Sequence, residues 1–319
     1  MLSMADDGEQ IEADTLLCCA ACGIAEIDDI KLVPCDGCDL VKYCSDACQE
    51  LHRPEHEETC KRRAAELREE LLFKQPESSY MGDCPICSLP MPLDYAKSAI
   101  NTCCSKIICN GCVYANKRRE KEMRLQQSCP FCREPLPRTE EEADKLRMKR
   151  MAANDPHAIR KEGSEQYEKG DYRKAFEYLT KAADMGDEWA HLKLSDMYYH
   201  GRGVEKDEGK EIYHMEEAAI SGHPIARYNL GCHENAKGNT ERAVKHWLIA
   251  ATLGDDDAIK MLMEAFKMGF ISKEKLAAAL RAHKAAVDAT KSPQREAVEE
   301  YYQLLKEEGA YVELVRGEG

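Results

Sequence analysis

The placement of cysteine constrains this chain more than any other feature. Of its 17 cysteines, all but Cys232 lie between Cys18 and Cys132, and most of them form C-x-x-C pairs. A C-x-x-C turn brings two thiolates within reach of one ion, so where thiols are kept reduced such pairs read as metal ligands and not as disulfides. The acidic opening stretch, residues 1–17, lacks a charged-then-apolar leader and is expected to be disordered. The chain has no apolar run of roughly eighteen residues, so no membrane span is expected and the cytoplasm or nucleus is the expected compartment. A net charge of −14 argues against general nucleic-acid binding. The basic clusters Lys61-Arg62-Arg63, Lys117-Arg118-Arg119 and Lys149-Arg150 are interleaved with Glu and read as solvated helix faces.

The first ligand string is Cys19-x-x-Cys22, Cys35-x-x-Cys38, Cys44-x-x-x-Cys48 and His56-x-x-x-Cys60. These residues suffice for two closed tetrahedral Zn²⁺ sites. A His and a Cys four apart on a helix point the same way. A segment of about forty residues buries too little surface to fold alone, so metal binding would supply the folding free energy. The ligand order, with Tyr43-Cys44-Ser45-x-x-Cys48-Gln49, closely resembles the MYND zinc finger over residues 18–60. That resemblance implies alternate sharing, with Cys19, Cys22, Cys44 and Cys48 on one ion and Cys35, Cys38, His56 and Cys60 on the other. Cys18 lacks the spacing to Cys22 and is expected to be a spectator, and His52 is expected to be a surface residue. Where this chain has Arg53, the family usually has a Trp that contributes to peptide binding, a departure that weakens the case for peptide docking by the finger.

The second string is Cys84-Pro-Ile-Cys87, Cys103-Cys104, Cys109-x-x-Cys112 and Cys129-Pro-Phe-Cys132. It resembles a RING finger over residues 81–136, a resemblance that implies Cys84, Cys87, Cys109 and Cys112 on one ion and Cys103, Cys104, Cys129 and Cys132 on the other. A conventional RING has a His in the middle of this string; here Lys106 falls where it would sit if Cys104 is the third ligand, and a lysine ammonium has no lone pair to offer. Either Cys103 and Cys104 both reach one ion, or one of them is idle and the site is distorted. Many RING fingers are ubiquitin ligases that dock a ubiquitin-conjugating enzyme on a shallow apolar groove. By resemblance that groove would include Ile86 and Pro130, and Arg133 matches the arginine that steadies the thioester-linked ubiquitin. With every coordination position filled, the expected four zinc ions are structural and not catalytic.

From about residue 156 to 290 the chain repeats itself. Ala158, Ala190, Ala226 and Ala258 open successive units; Gly163, Ser195 and Gly231 follow five residues on, with Met263 breaking the pattern. Gly170, Gly201, Gly238 and Gly269 mark the inner turns, Ala182-Ala183, Ala218-Ala219 and Ala250-Ala251 the second helices, and Gly186, Gly222 and Gly254 the closing turns. The pattern predicts two helices per unit, small residues where backbones approach and Gly ending helices. The best stretch, Ala190 to Val204, resembles Sel1-like repeats, relatives of the tetratricopeptide repeat, which use a concave face for protein partners. Trp189, Tyr198, Tyr199 and Trp247 are expected to pack between helices, and Cys232 to be a small core residue. Helical linkers are expected over 61–80, ending near Lys74, and over 137–155, opening at the capping box Thr139–Glu142; a capping helix and tail are expected over 291–319.

The expected architecture is two small zinc modules followed by an all-α helical-repeat solenoid. No nucleophile constellation, acid–base pair or Gly-rich phosphate loop stands out, and nothing resembles the SET methyltransferase domain that sometimes accompanies MYND fingers. The expected function is a zinc-binding adaptor that holds other proteins. The alternatives are a RING-type ubiquitin ligase whose repeats select substrate, and a transcriptional or chromatin co-regulator.

Overall fold

The computed structural model describes residues 18–27, 29–78 and 80–307. It divides into two compact units, Met1–Lys74 and Gln75–Gly319. The acidic stretch 1–17, expected to be disordered, and the tail beyond residue 307 lie outside the described residues.

In the first unit β1 (Val33–Pro34) pairs antiparallel with β2 (Lys42–Tyr43), Val33 lying opposite Tyr43. Helix α1 then runs unbroken over Asp46–Phe73. Ser45 starts it: an extended residue whose hydroxyl accepts from the Cys48 N–H at 3.3 Å, satisfying a donor that the first turn leaves free. The linker helix expected after Cys60 is therefore the second half of a helix that begins inside the finger. Its apolar support is slight, because the buried cluster is Cys19, Leu32, Cys35, Cys38 and Tyr43 and three of those five are cysteines.

In the second unit a 3₁₀ turn (Tyr95–Lys97) leads into β3 (Ser98–Ile100), which pairs antiparallel with β4 (Ile107–Cys109), followed by α2 (Asn110–Glu122). Met81, Met91 and Ile108 pack among Cys84, Cys109, Cys112 and Cys129. Helix α3 (Glu140–Ala152) begins at Thr139, whose hydroxyl accepts from the Glu142 N–H at 3.2 Å. Then come the paired helices α4 (Pro156–Glu168) and α5 (Tyr172–Ala183), α6 (Glu188–His200) and α7 (Glu208–Ile220), α8 (Pro224–Ala236) and α9 (Thr240–Thr252). Helix α10 (Asp256–Lys267) follows, then α11 (Lys273–Ala289) and α12 (Pro293–Glu307).

The recurring alanines sit one turn inside each first helix, and Ala158, Ala190, Ala226 and Ala258 are all buried. Three residues before each stands the cap. Asp155, Asp187 and Asp255 accept from the N–H of Ala158, Ala190 and Ala258 at 3.2, 2.8 and 2.7 Å. In the third unit His223 takes the cap position without a side-chain cap bond. The small residues mark close approach: a Cβ on Gly231 would lie 2.3 Å from Trp247 Nε1. Trp247 (1% exposed) and Tyr198 (8%) pack as expected, whereas Tyr199 is 59% exposed and takes no part in the core. Cys232 packs half-buried against the cluster of Trp247, Ala250 and Leu262.

Two features of this unit differ from expectation. The second cysteine-rich module is joined to the repeats by an aromatic seam: Tyr80 stacks on His223 (ring centroids 4.3 Å apart), and Tyr95 and His223 both meet Trp189 edge-on at 4.6 and 4.5 Å. Helix α11 packs on α9 and α10, but α12, in the stretch expected to cap the solenoid, packs on α2 of the cysteine-rich module. Gly111 of α2 permits that contact, since a Cβ there would lie 3.0 Å from the Arg295 backbone nitrogen.

Candidate metal centres

Sixteen side chains converge in four groups of four: Cys19, Cys22, Cys44, Cys48; Cys35, Cys38, His56, Cys60; Cys84, Cys87, Cys109, Cys112; and Cys103, Cys104, Cys129, Cys132. Within each group the ligand atoms all lie within 4.8 Å of one another. Every cage takes two ligands from an early turn and two from a later segment, so in each module the two cages interleave. A tetrahedral ion with zinc–sulfur bonds near 2.3 Å needs sulfur–sulfur edges of roughly 3.8 Å. The first cage has Cys22–Cys44 and Cys44–Cys48 at 3.6 Å, and the second has Cys35–Cys60 at 3.7 Å and Cys38 Sγ to His56 Nε2 at 3.2 Å. The third has Cys87–Cys109 at 3.9 Å, and the fourth Cys104–Cys129 at 3.8 Å and Cys103–Cys132 at 3.4 Å. Thiolates spaced like this fit zinc, and the donor sets are those of structural sites with no position left for substrate. Both Cys103 and Cys104 belong to the fourth cage, while Lys106 stands apart with its ammonium 5.9 Å from the Phe131 ring centre.

The ionisation pattern of the cages shows what a cation does there. In each, one thiol is held down. Burial works to raise Cys19, but the backbone N–H groups of Cys22, Cys44 and Ala21 outweigh it and bring it to about 6. A hydrogen bond from Cys109, helped by backbone N–H groups and opposed by burial, brings Cys84 to about 4. Their neighbours are pushed the other way: Cys44 to about 12 by Cys22 and Cys48, Cys60 to about 12 by burial and then by Cys35 and Cys38, and Cys112 to about 12 by burial. Cys103 rises through burial and Cys132, and Cys109 rises through Cys84 and burial. Four thiolates in one cage repel too strongly to coexist, and a divalent ion removes that penalty as the protons leave. His56 is shifted downward by burial, then by His52, which favours the neutral imidazole that a metal requires.

Two residues near the cages have roles that spacing alone does not reveal. His52 is no ligand, yet it is half-buried and not a plain surface residue. Its Nδ1 lies 3.0 Å from the Tyr43 hydroxyl and its ring stacks on His56 at 5.5 Å, which fixes the ligand ring from behind. Cys18 bridges to Ala25 in the backbone and stands outside every cage. Around the second cage a groove of about 410 Å³ is lined by Tyr43, Gln49, Arg53, Glu57 and Lys61. Of the residues expected to face a partner, Ile86 is 43% exposed, Pro130 is buried, and Arg133 is exposed with its guanidinium donating to Asn116 Oδ1 at 3.2 Å. The Asp caps were readable as Asp three residues before Ala158, Ala190 and Ala258, with His223 in that place before Ala226. Arg295, which reaches the Cys87 sulfur from α12, gives no sequence signal because 208 residues separate the two.

The profile of the MYND finger family matches residues 19–60, and that of the Sel1 repeat matches residues 160–187, 190–223 and 224–255. The chain thus carries a MYND finger and Sel1 repeats. Chitin synthase regulatory factor 4 of Schizosaccharomyces pombe is 33% identical over 86 residues, which span 27% of this chain and 14% of that protein. A Sel1 repeat protein from Oxalobacter formigenes is similar in structure at 23% identity and a TM-score of 0.41, covering 54% of this chain and 71% of the other. So is c5321, a protective antigen of uropathogenic Escherichia coli with an SLR fold, at 21% identity and a TM-score of 0.38, covering 56% and 40%.

Proposed function

We propose that this protein is an adaptor in which structural zinc holds two interaction modules in shape while the repeats and the modules grip different protein partners. The observation that carries the reading is the closure of the cages: each offers four protein ligands, so zinc shapes a surface and has no open position for chemistry. MYND fingers and Sel1 repeats generally mediate protein–protein contacts, and this chain carries both. In the finger, the groove beside the second cage is lined by Arg53, Glu57 and Lys61, so a partner segment bound there would carry charge and not only apolar anchors. The stretch shared with a chitin synthase regulatory factor fits a role in holding another protein. Cysteines gathered as metal ligands and not as disulfides support a reducing compartment, the cytoplasm or nucleus, and no helix among the described residues is long and apolar enough to cross a membrane. Crosslinking of the full chain to its cellular partners, compared with Cys44→Ser in the finger and with Tyr199→Ala/Tyr213→Ala, which removes two exposed tyrosines of α6 and α7, tests this. Each change should delete a different subset of partners; loss of the same subset in both would overturn the two-grip reading.

A ubiquitin-ligase reading has its own support. The second module interleaves its cages as a RING finger does, and Ile86, between its first two ligands, is 43% exposed where a conjugating enzyme would dock. Autoubiquitination with a panel of conjugating enzymes should then occur and fall with Ile86→Ala and Arg133→Ala. Folded, zinc-loaded protein without activity would leave the adaptor alone. A co-regulator role rests on analogy with other MYND proteins, and exclusion from the nucleus would remove it.

A further inference from the structure

Arg295 is the feature of the molecule that neither the adaptor nor the ligase reading uses. It lies on the first turn of α12, is 5% exposed, and so carries a buried guanidinium. It donates to the carbonyl oxygens of Thr290 at 2.6 Å, Pro90 at 2.7 Å and Leu89 at 3.2 Å, and to Cys87 Sγ at 3.4 Å. None of these acceptors is a carboxylate. A buried cation is costly unless a negative charge stands near it, and here the nearby negative charge is the cysteine cage.

The third cage is the one that needs such a partner. A zinc ion with four thiolates keeps two negative charges. The second cage lowers its charge with the neutral ring of His56, and the first and fourth each have an exposed ligand, Cys22 and Cys132, through which solvent can screen them. In the third, Cys84, Cys109 and Cys112 are 0%, 0% and 5% exposed. Water reaches that charge only at the half-buried Cys87, and there the guanidinium stands against the sulfur.

We propose that Arg295 is a charge-compensating positioning residue of the third zinc centre, so that retention of this one ion depends on α12 staying docked on α2. The guanidinium hydrogen bond also draws electron density from the Cys87 sulfur, the half-buried ligand of the cage, and lowers its reactivity toward electrophiles. Val298, 2% exposed on the same helix, holds the docking by packing alone. When α12 lifts, the third cage loses its counter-charge and its cover together, and the C-terminal helix becomes a control on zinc release. The inference needs zinc in the third cage and is independent of which partners the protein holds.

The test uses the full chain loaded with zinc. Transfer of zinc to a chromophoric chelator is timed for wild type, Arg295→Gln, Arg295→Lys and Val298→Asp, with iodoacetamide labelling of Cys87 mapped by mass spectrometry and Cys22 as the internal reference. In Arg295→Gln and Val298→Asp one zinc of four should leave at least tenfold faster, with Cys87 labelling rising in step. Arg295→Lys should fall between them and wild type, and the helical circular dichroism should not change. Wild-type release in Arg295→Gln or in Val298→Asp, Arg295→Lys no better than Arg295→Gln, or equal acceleration of all four ions would each overturn the proposal. Wild-type protein in which Cys84, Cys109 and Cys112 are alkylated without chelator would remove it differently, by removing the premise of a filled third cage.

Discussion

The two cysteine-rich modules hold the same number of ligands in the same interleaved order, and they differ in what else supports them. The MYND finger has Leu32 and Tyr43 as the non-cysteine members of its buried cluster, and its long helix α1 buries only His56 and Leu72. The second module has Met81, Met91 and Ile108, a seam of Tyr80, Tyr95, Trp189 and His223, and α12 latched through Arg295. One is held by metal, the other by metal plus packing. Small domains lack the area to stabilise themselves, and these two make up the deficit by different routes.

Chelation breaks the comparison most strongly. Structural zinc contributes about 10 kcal/mol or more per ion. With excess chelator, hydrogen exchange should show residues 18–60 losing all slow amides while α4 to α11 keep theirs. The segment Ile108–Ala115 should retain partial protection from the seam and α12. Equal loss in the two modules would show that the packing adds nothing.

Acid should separate the cages by site. The free cages bind more protons than the loaded ones, because thiols such as Cys44, Cys60 and Cys112 rise to about 12 without metal. The loaded state is therefore favoured as pH rises and lost as pH falls. The anchoring thiol is held at about 6 in the first cage and about 4 in the third, so zinc should leave the first cage at a higher pH. Site-mapped alkylation along a pH titration gives the order, and the reverse order would sink the assignment.

Trp247→Ala should destabilise the solenoid by about 3–5 kcal/mol through the cavity it leaves, with zinc content unchanged, as measured by denaturant unfolding and metal analysis. Tyr80→Ala removes the stacked partner of His223 and should cost about 2 kcal/mol, seen as faster exchange in the second module and none in the finger. Ser45→Ala is the smallest: loss of the α1 cap should weaken the finger by about 1 kcal/mol and raise its zinc dissociation rate a few-fold. An unchanged rate would mean that the metal alone sets the start of α1.

Much of the candidate site was legible because zinc ligation is local in its halves. A C-x-x-C turn defines a half-site whatever surrounds it, so spacing brought forward all sixteen side chains that the structure gathers. The repeat glycines were legible for a similar reason: Gly170, Gly201, Gly238 and Gly269 all take positive φ, where other residues are strained. Spacing said less about His52, because its bond to Tyr43 and its stacking on His56 depend on how α1 crosses the strands. Tyr199 misled because two adjacent tyrosines look alike in sequence, while one helical step of about 100° turns Tyr198 inward and Tyr199 out.

The sequence by itself determined the local units: the cysteine turns, the capped helix pairs, the small residues at close approaches. Each of these is decided by neighbours within a few residues, through backbone geometry and ligand reach. Only the tertiary structure decided that α12 leaves the solenoid to lie on α2, that Trp189 and His223 face Tyr80, and that Arg295 comes to rest on Cys87. Those contacts join segments up to 208 residues apart, and burial of surface and charge, which no short window of residues encodes, selects among them.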